Sequence, residues 1–379
     1  MKKLLTLTFL ILLIACGAQE SPSEEVFDES ITTTEEYVLP DADVYMTITD
    51  SIGIELGDSN YVFGAVAGVD FTPEGDIAVL DVQKSCISLF SPEGEFIERI
   101  GRQGSGPGEF QYPQGMAFFP DGGLVVSDAM GGKLVYFNSD LEYESDLAGF
   151  YPAPPAALLG LEGGVVIGMK PDFDQNEEGM FMGFTIARWE KEQAEPTVIY
   201  HSSMSPFDPA DLTAMLDDIL NFGVAPEGIV FTASMSTEVY EFTVWNSEGE
   251  EISIITIDDF ERVAKNQEEI DTETEVVNRM MIQQGMPPAM ANWEPDPYRQ
   301  AIVGFGVDGQ GRLWVRKGTA ETLYFDVYSV DGLEFLFTAA LDVGEIASMW
   351  TVVIKNNKFI AFDSDPELYP QVFIGDLSE

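Results

Sequence analysis

The sequence predicts an all-β fold: a six-bladed β-propeller of four-stranded antiparallel blades, closed by the N-terminal strand joining the last blade, with a small helical insertion. Three observations carry that expectation. An apolar strand, a tight turn of Asp, Asn, Glu or Gly, and a second apolar strand recur six times. Third and fourth short strands follow in most copies. The run Val44 to Leu56 precedes the first copy and reads as a strand with no turn of its own.

In chain order, the first forty residues read as an address. Lys2 and Lys3 form a basic start, and Leu4 to Ile14 form an apolar stretch too short to span a bilayer. Leu13-Ile14-Ala15-Cys16 resembles the bacterial lipoprotein lipobox. The resemblance implies a signal peptide over 1–15 and diacylglycerol on the sulfur of Cys16. Each buried methylene of such an anchor contributes about 0.8 kcal/mol. Gly17 after the cysteine implies, by resemblance to known sorting rules, the outer membrane, with periplasmic and surface faces both open. Residues 16–40 are rich in Ser, Glu, Thr and Pro and bury too little to fold, so they read as a flexible acidic tether. The propeller is expected over 41–379.

Val44 to Leu56 is expected to complete the last blade as its outermost strand, which removes two exposed sheet edges. The six turn-centred repeats then follow at Gly68 to Asp81, Gly115 to Asp128, Ala157 to Gly168, Phe222 to Ala233, Val303 to Val315 and Ser348 to Phe362. Their turns hold residues that tolerate the backbone angles of tight hairpins. Outer strands are read at Cys86 to Phe90 with Glu95 to Ile100, Lys133 to Phe137, Glu238 to Trp245 with Glu251 to Ile257, and Leu323 to Val330 with Phe335 to Leu341.

Gly101-Arg-Gln-Gly-Ser-Gly-Pro-Gly-Glu-Phe110, with Pro113 to Ala117, Asp121-Gly122 and Ser127-Asp128, resembles the NHL repeat. The chain also resembles bacterial six-bladed β-propeller lipoproteins. That likeness implies the fold over roughly 42–376 and brings no catalytic residues with it, since NHL propellers include binding scaffolds as well as lyases and lactonases. Alone, the glycine-rich run could cradle a phosphate; beside its sister segments its glycines read as turn geometry.

Two insertions interrupt the repeats, at 170–220 and 258–300. The first holds Lys170 to Asp174, a strand Met180 to Trp189 expected in blade three, and helical spacing over Asp208 to Leu220. The second holds a long helical pattern, Glu261 to Gln284, stopped by Gly285 to Pro288 and expected to lie across the propeller mouth.

Composition narrows the chemistry. With 66 acidic against 18 basic residues and a net charge of −48, nucleic acid and anionic lipid surfaces are repelled. The acids are spread along the chain, as in a solvated acidic shell. With Cys16 spent on lipid, Cys86 is expected to be a buried unpaired thiol and no disulfide is expected. The single histidine, His201, sits in a polar stretch and reads as solvated, which disfavours zinc sites and histidine-based catalysis.

Arg102, Trp293 and Arg299 are the candidate ligand-binding residues, placed in loops near the channel with the insertions as walls. For Arg102 the stronger reading is a brace of its own glycine-rich turn. Asp172 with Asp174, or Asp363 with Asp365, have a spacing that could ligate calcium, although no metal is expected. Asp81 and Asp128, at matching places in two repeats, read as caps of strand-end turns. Trp314 and Trp350 read as wedges between blades.

The favoured function is an envelope-anchored, non-enzymatic lipoprotein, expected to be a monomer, that binds a protein, peptide or carbohydrate ligand and contacts the membrane only through lipid. A calcium-assisted lactonase-like or lyase-like enzyme at the channel is the first alternative. An assembly scaffold without a small-molecule site is the second.

Overall fold

The inner strands of each repeat are apolar at consecutive positions because both of their faces are covered. Ile77–Asp81, Cys86–Phe90, Leu124–Asp128 and Lys133–Phe137 are buried at every residue. A sheet covered on one face would alternate instead. Face-to-face packing of successive sheets around a ring provides two covered faces, and the computed structural model has that form. It describes residues 41–177, 179–207, 219–283, 294–319, 322–343, 350–364 and 369–377. Cys16, the tether, Trp293, Asp365 and the helical spacing over 208–218 lie outside the described residues.

Six antiparallel sheets follow one another in chain order. Blade 1 is Val66–Phe71, Ile77–Asp81, Cys86–Phe90 and Phe96–Ile100. Blade 2 is Pro113–Phe118, Leu124–Asp128, Lys133–Phe137 and Tyr143–Ala148. Blade 3 is Ala156–Gly160, Val166–Asn176, Gly179–Trp189 and Val198–Ser202, with Ser205–Pro206 added along the third strand. Blade 4 is Leu220–Val224, Val230–Ser234, Glu241–Trp245 and Glu251–Thr256. Blade 5 is Gly304–Val307, Arg312–Lys317, Thr322–Ser329 and Phe335–Asp342. Blade 6 takes Trp350–Lys355, Lys358–Asp363 and Val372–Asp376 from the end of the chain and its outermost strand, Thr47–Ile52, from the beginning.

The expected closure is therefore present, and it goes further than expected. Val44–Tyr45 pairs in parallel with Phe335–Asp342 on the edge of blade 5 before the chain crosses to blade 6. One short segment thus staples two blades, with Met46 buried between them and its N–H donating to Ala340 O at 2.7 Å.

The core lies between blades. Ile360 and Phe362 of blade 6 meet Val69, Phe71, Ile77 and Val79 of blade 1. The alternate residues Ala78 and Leu80 face Phe118, Leu124 and Val126 of blade 2. Trp314 and Trp350 sit together in the cluster joining blades 5 and 6, as wedges. Each side chain of this size contributes roughly 1.5–3 kcal/mol on burial, so the ring is held by its seams.

The first turns recur with the same chemistry. Gly75, Gly122, Gly228 and Gly311 have φ of +96°, +90°, +81° and +72°, and each donates its N–H three residues back. Blade 6 uses Asn356 and Asn357 at φ +51° and +61°, which Asn tolerates in two-residue hairpins.

Both insertions differ in detail from the sequence reading. Lys170 to Asp174 belongs to a strand: Val166–Asn176 and Gly179–Trp189 stay in register from one end to the other, so the insertion is an elongated hairpin. Leu220, expected at a helix end, begins the inner strand of blade 4. The second insertion carries helix α1, Gln267–Gln283, which starts six residues later than Glu261. Asn266 sets that start through a reciprocal cap: its Oδ1 accepts Glu269 N–H at 2.9 Å and Glu269 Oε2 accepts Asn266 N–H at 2.8 Å. The residues before it pair with the returning chain, through Arg299 N–H to Val263 O and Lys265 N–H to Pro297 O.

Candidate functional site

Strand direction decides which loops share a face. The inner strands all run the same way, since late residues meet late residues across the seams: Asp70 with Phe118 and Lys355, and Gly306 with Ile354. The hairpins joining first to second and third to fourth strands therefore emerge on one face, the turn face. The second-to-third hairpins and all blade-to-blade connections emerge on the other.

Every elaboration falls on this second, insertion face. Residues 53–65, 101–112, 203–219 and 257–303 are its blade-to-blade connections, and the elongated hairpin of blade 3 rises from it. The turn face carries hairpins such as 72–76, 119–123, 225–229 and 356–357, the longest being 190–197 in blade 3. The mouth of the channel on the insertion face is the candidate site.

Polar groups here first tie the ring together. Asp81 is buried and accepts the N–H groups of Gly64, Ala65 and Lys84 at 2.8, 3.2 and 3.0 Å. Asp128 is buried in the same position of blade 2 and accepts those of Gln111 and Tyr112, the latter at 2.7 Å. Both cap the incoming connection, as their repetition indicated. Asn221 donates to Ile302 O at 3.0 Å, linking blades 4 and 5. Arg316 reaches from blade 5 to the Trp350 carbonyl of blade 6. Burial lowers its guanidinium to about 10, which leaves it charged at neutral pH.

The candidate residues are placed as follows. Arg102 is 81% exposed at its side chain and pairs with Glu109, Nε to Oε1 at 2.8 Å. Glu109 Oε2 also accepts Gly106 N–H at 2.9 Å, and these contacts hold its carboxyl below the ordinary carboxylate range. The glycine-rich run is folded around Glu109; a Cβ at Gly101, whose φ is +72°, would run into the Phe110 ring. Arg102 is thus the brace of its turn. Arg299 forms a fork on Glu269, Nε to Oε1 at 2.7 Å and Nη2 to Oε2 at 2.6 Å, with side chains 16% and 5% exposed. Its two-pronged donor set is filled within the fold. The structure does not bring Arg102 and Arg299 together on one ligand position.

Asp172 is engaged by Lys170 and accepts Thr185 Oγ1 at 2.6 Å, while Asp174 accepts Asn176 Nδ2 at 3.2 Å. Among the described residues no group of three His, Cys, Asp or Glu side chains is placed to hold a metal ion. Cys86 is buried, and burial pushes its thiol up. His201 lies in the outer strand of blade 3, opposite Ile186.

Two functional groupings were not legible in the sequence. One is Glu269 with Arg299, although the cap spacing Asn266-Gln-Glu-Glu269 was available as a signal. The other is a seam on the turn face: Asp70 Oδ2 accepts Phe118 N–H at 2.8 Å, and Lys355 Nζ donates to Asp70 Oδ1 at 3.0 Å and Phe71 O at 3.2 Å. It joins blades 6, 1 and 2.

With the blade count, strand order and closure in place, the comparisons agree. The fold is a six-bladed β-propeller. The family DUF5128, described as a 6-bladed beta-propeller, matches residues 22–150, the stretch that holds the first two blades. No curated protein matches the sequence. Among solved structures, a member of the DUF4221 family from Bacteroides vulgatus ATCC 8482 aligns at a TM-score of 0.50 and 12% identity. It covers 87% of this chain and 97% of that one. A gluconolactonase from Xanthomonas campestris aligns at a TM-score of 0.46 and 14% identity, over 84% and 88% of the two chains. These similarities concern the fold.

Proposed function

We propose that this chain is an envelope-anchored lipoprotein whose propeller binds a ligand or protein partner through its insertion face, without catalysis. The observation that carries the reading is the one-sided placement of every long connection. A propeller needs only short turns to close, so length added on one face is not required by the ring. The rigid blades act as a platform that holds those connections in place. The anchor is inferred from Leu13 to Cys16 and the tether that follows.

A thermal-shift screen of the full chain against calcium, sugars and short peptides tests the binding claim. A ligand at a hundred times its dissociation constant adds about 2.7 kcal/mol of stability. The expected outcome is a shift with one class that disappears when the blade 3 hairpin is shortened to a two-residue turn after Lys170. A shift that survives both that change and replacement of 258–300 by a short linker would place binding elsewhere. The anchor is tested separately by Cys16→Ser, which should release the protein from membranes; continued membrane association would refute it.

A further inference from the structure

Away from the strands, exposed large apolar side chains are confined to one side of the ring. Leu56, Met130, Tyr151, Met204, Val239 and Val263 are 84, 56, 66, 46, 49 and 44% exposed, and each lies in a connection of the insertion face. Among the described residues, no hairpin of the turn face exposes such a side chain. Scattered apolar residues are ordinary on any surface, but their segregation to one face marks an interaction surface.

Beside Leu56 and Val263 the charge has one sign in excess. Glu55 adjoins Leu56, and Asp258, Asp259 and Glu261 precede Val263; all four carboxylates are exposed. The neighbouring cations are already engaged. Arg262 meets Glu238 at 2.8 Å and Lys265 meets Glu273 at 2.7 Å, whereas Lys84 donates to the Ser59 carbonyl at 3.2 Å, a neutral partner that does not cancel its charge. Arg102, Lys170 and Arg299 hold Glu109, Asp172 and Glu269. The face therefore presents apolar side chains among surplus carboxylates, in a chain of net charge −48.

We propose that the insertion face docks a cationic protein partner, one that offers an apolar patch or amphipathic segment bordered by Lys and Arg. Apolar burial supplies the contact, and the opposite charge supplies steering and orientation. An anionic lipid surface and a second copy of this chain share the wrong sign and are repelled. The inference rests on the reading of this face as the binding surface and adds the sign and class of what it binds.

Three synthetic amphipathic peptides with one Leu pattern, carrying Lys, Gln or Glu on the polar positions, are titrated against the full chain by fluorescence anisotropy. The Lys peptide should bind about tenfold or more tighter than the Gln peptide, with the Glu peptide weakest, and added NaCl should shrink the difference. The triple variant Met130→Ser, Tyr151→Ser, Val263→Ser should weaken the Lys peptide about tenfold or more. The variant Ile97→Ser, Ile252→Ser on the outer strands should leave it unchanged. Equal binding of the Gln and Lys peptides, still lost in the triple variant, would overturn the charge assignment and leave the face reading standing. Loss in the outer-strand variant, or none in the triple variant, would overturn both. Binding of none of the three peptides would overturn the cationic partner.

Discussion

Replacing Asp70 by Ala removes a side chain that links three blades. Its Oδ2 accepts Phe118 N–H at 2.8 Å across the seam to blade 2, and its Oδ1 receives Lys355 from blade 6 at 3.0 Å. Phe118 is 2% exposed, so its N–H would be left without a partner in a dry seam, at a cost of about 1–3 kcal/mol. The Lys355 pair is only partly buried, at 34% and 11% side-chain exposure, and adds about 0.2–1 kcal/mol. The sum is about 1–4 kcal/mol. Asp70→Asn keeps an acceptor for Phe118 and loses only the charge, and Lys355→Met loses the pair and the hydrogen bond to Phe71 O, so each should cost at most about 1 kcal/mol. Equilibrium urea unfolding reads these as shifts in midpoint at constant slope. If Asp70→Ala stayed within about 0.5 kcal/mol of the parent, or if Asp70→Asn cost as much as Asp70→Ala, the seam argument would fail.

Three further predictions follow from the same geometry. Deleting residues 41–52 removes the parallel pairing on blade 5 and the outer strand of blade 6 together, so cooperative thermal unfolding near the parent midpoint should be lost; its retention would refute the staple. Arg299→Ala leaves the buried Glu269 without its fork, and hydrogen exchange should then rise across Gln267–Gln283 by an opening cost of about 3–5 kcal/mol while blades 1 and 2 keep their protection. Burial pushes the phenols of Tyr136 and Tyr240 well above their ordinary 10. They keep their protons in the fold where the unfolded chain loses them, so stability should fall as pH rises past about 10. Absorbance at the phenolate band should show these two tyrosines ionising only with unfolding.

Local patterns carried most of the architecture. The turns around Gly75 and Gly122 and the mainly apolar second and third strands that follow them were readable because ring packing covers both faces of a blade, which forces apolar residues at consecutive positions. The strand at Thr47–Ile52 was assignable for a different reason: it lacked a turn partner. Helix α1 was recognised from its spacing but begun too early, since amphipathic spacing is indifferent to the competing pairing of Val263 and Lys265 with the returning chain. Lys170 to Asp174 was given no strand assignment, because a strand whose hairpin projects beyond its blade has no fixed polarity pattern.

The site was far less legible. Arg102 and Arg299 both looked like anion forks in sequence, and each holds a carboxylate of its own chain. Arg299 finds Glu269 thirty residues away, a separation over which no local rule operates. The sequence by itself determined the blade count, the turn chemistry, the closing strand and the acidic charge, because each follows from short-range pattern or simple counting. Only the tertiary structure decided that the insertions share a face, that Asp70 bolts three blades together and that the exposed apolar side chains lie among carboxylates at one mouth of the ring. Those facts depend on strand direction around a closed circle, which brings together residues that no spacing along the chain relates.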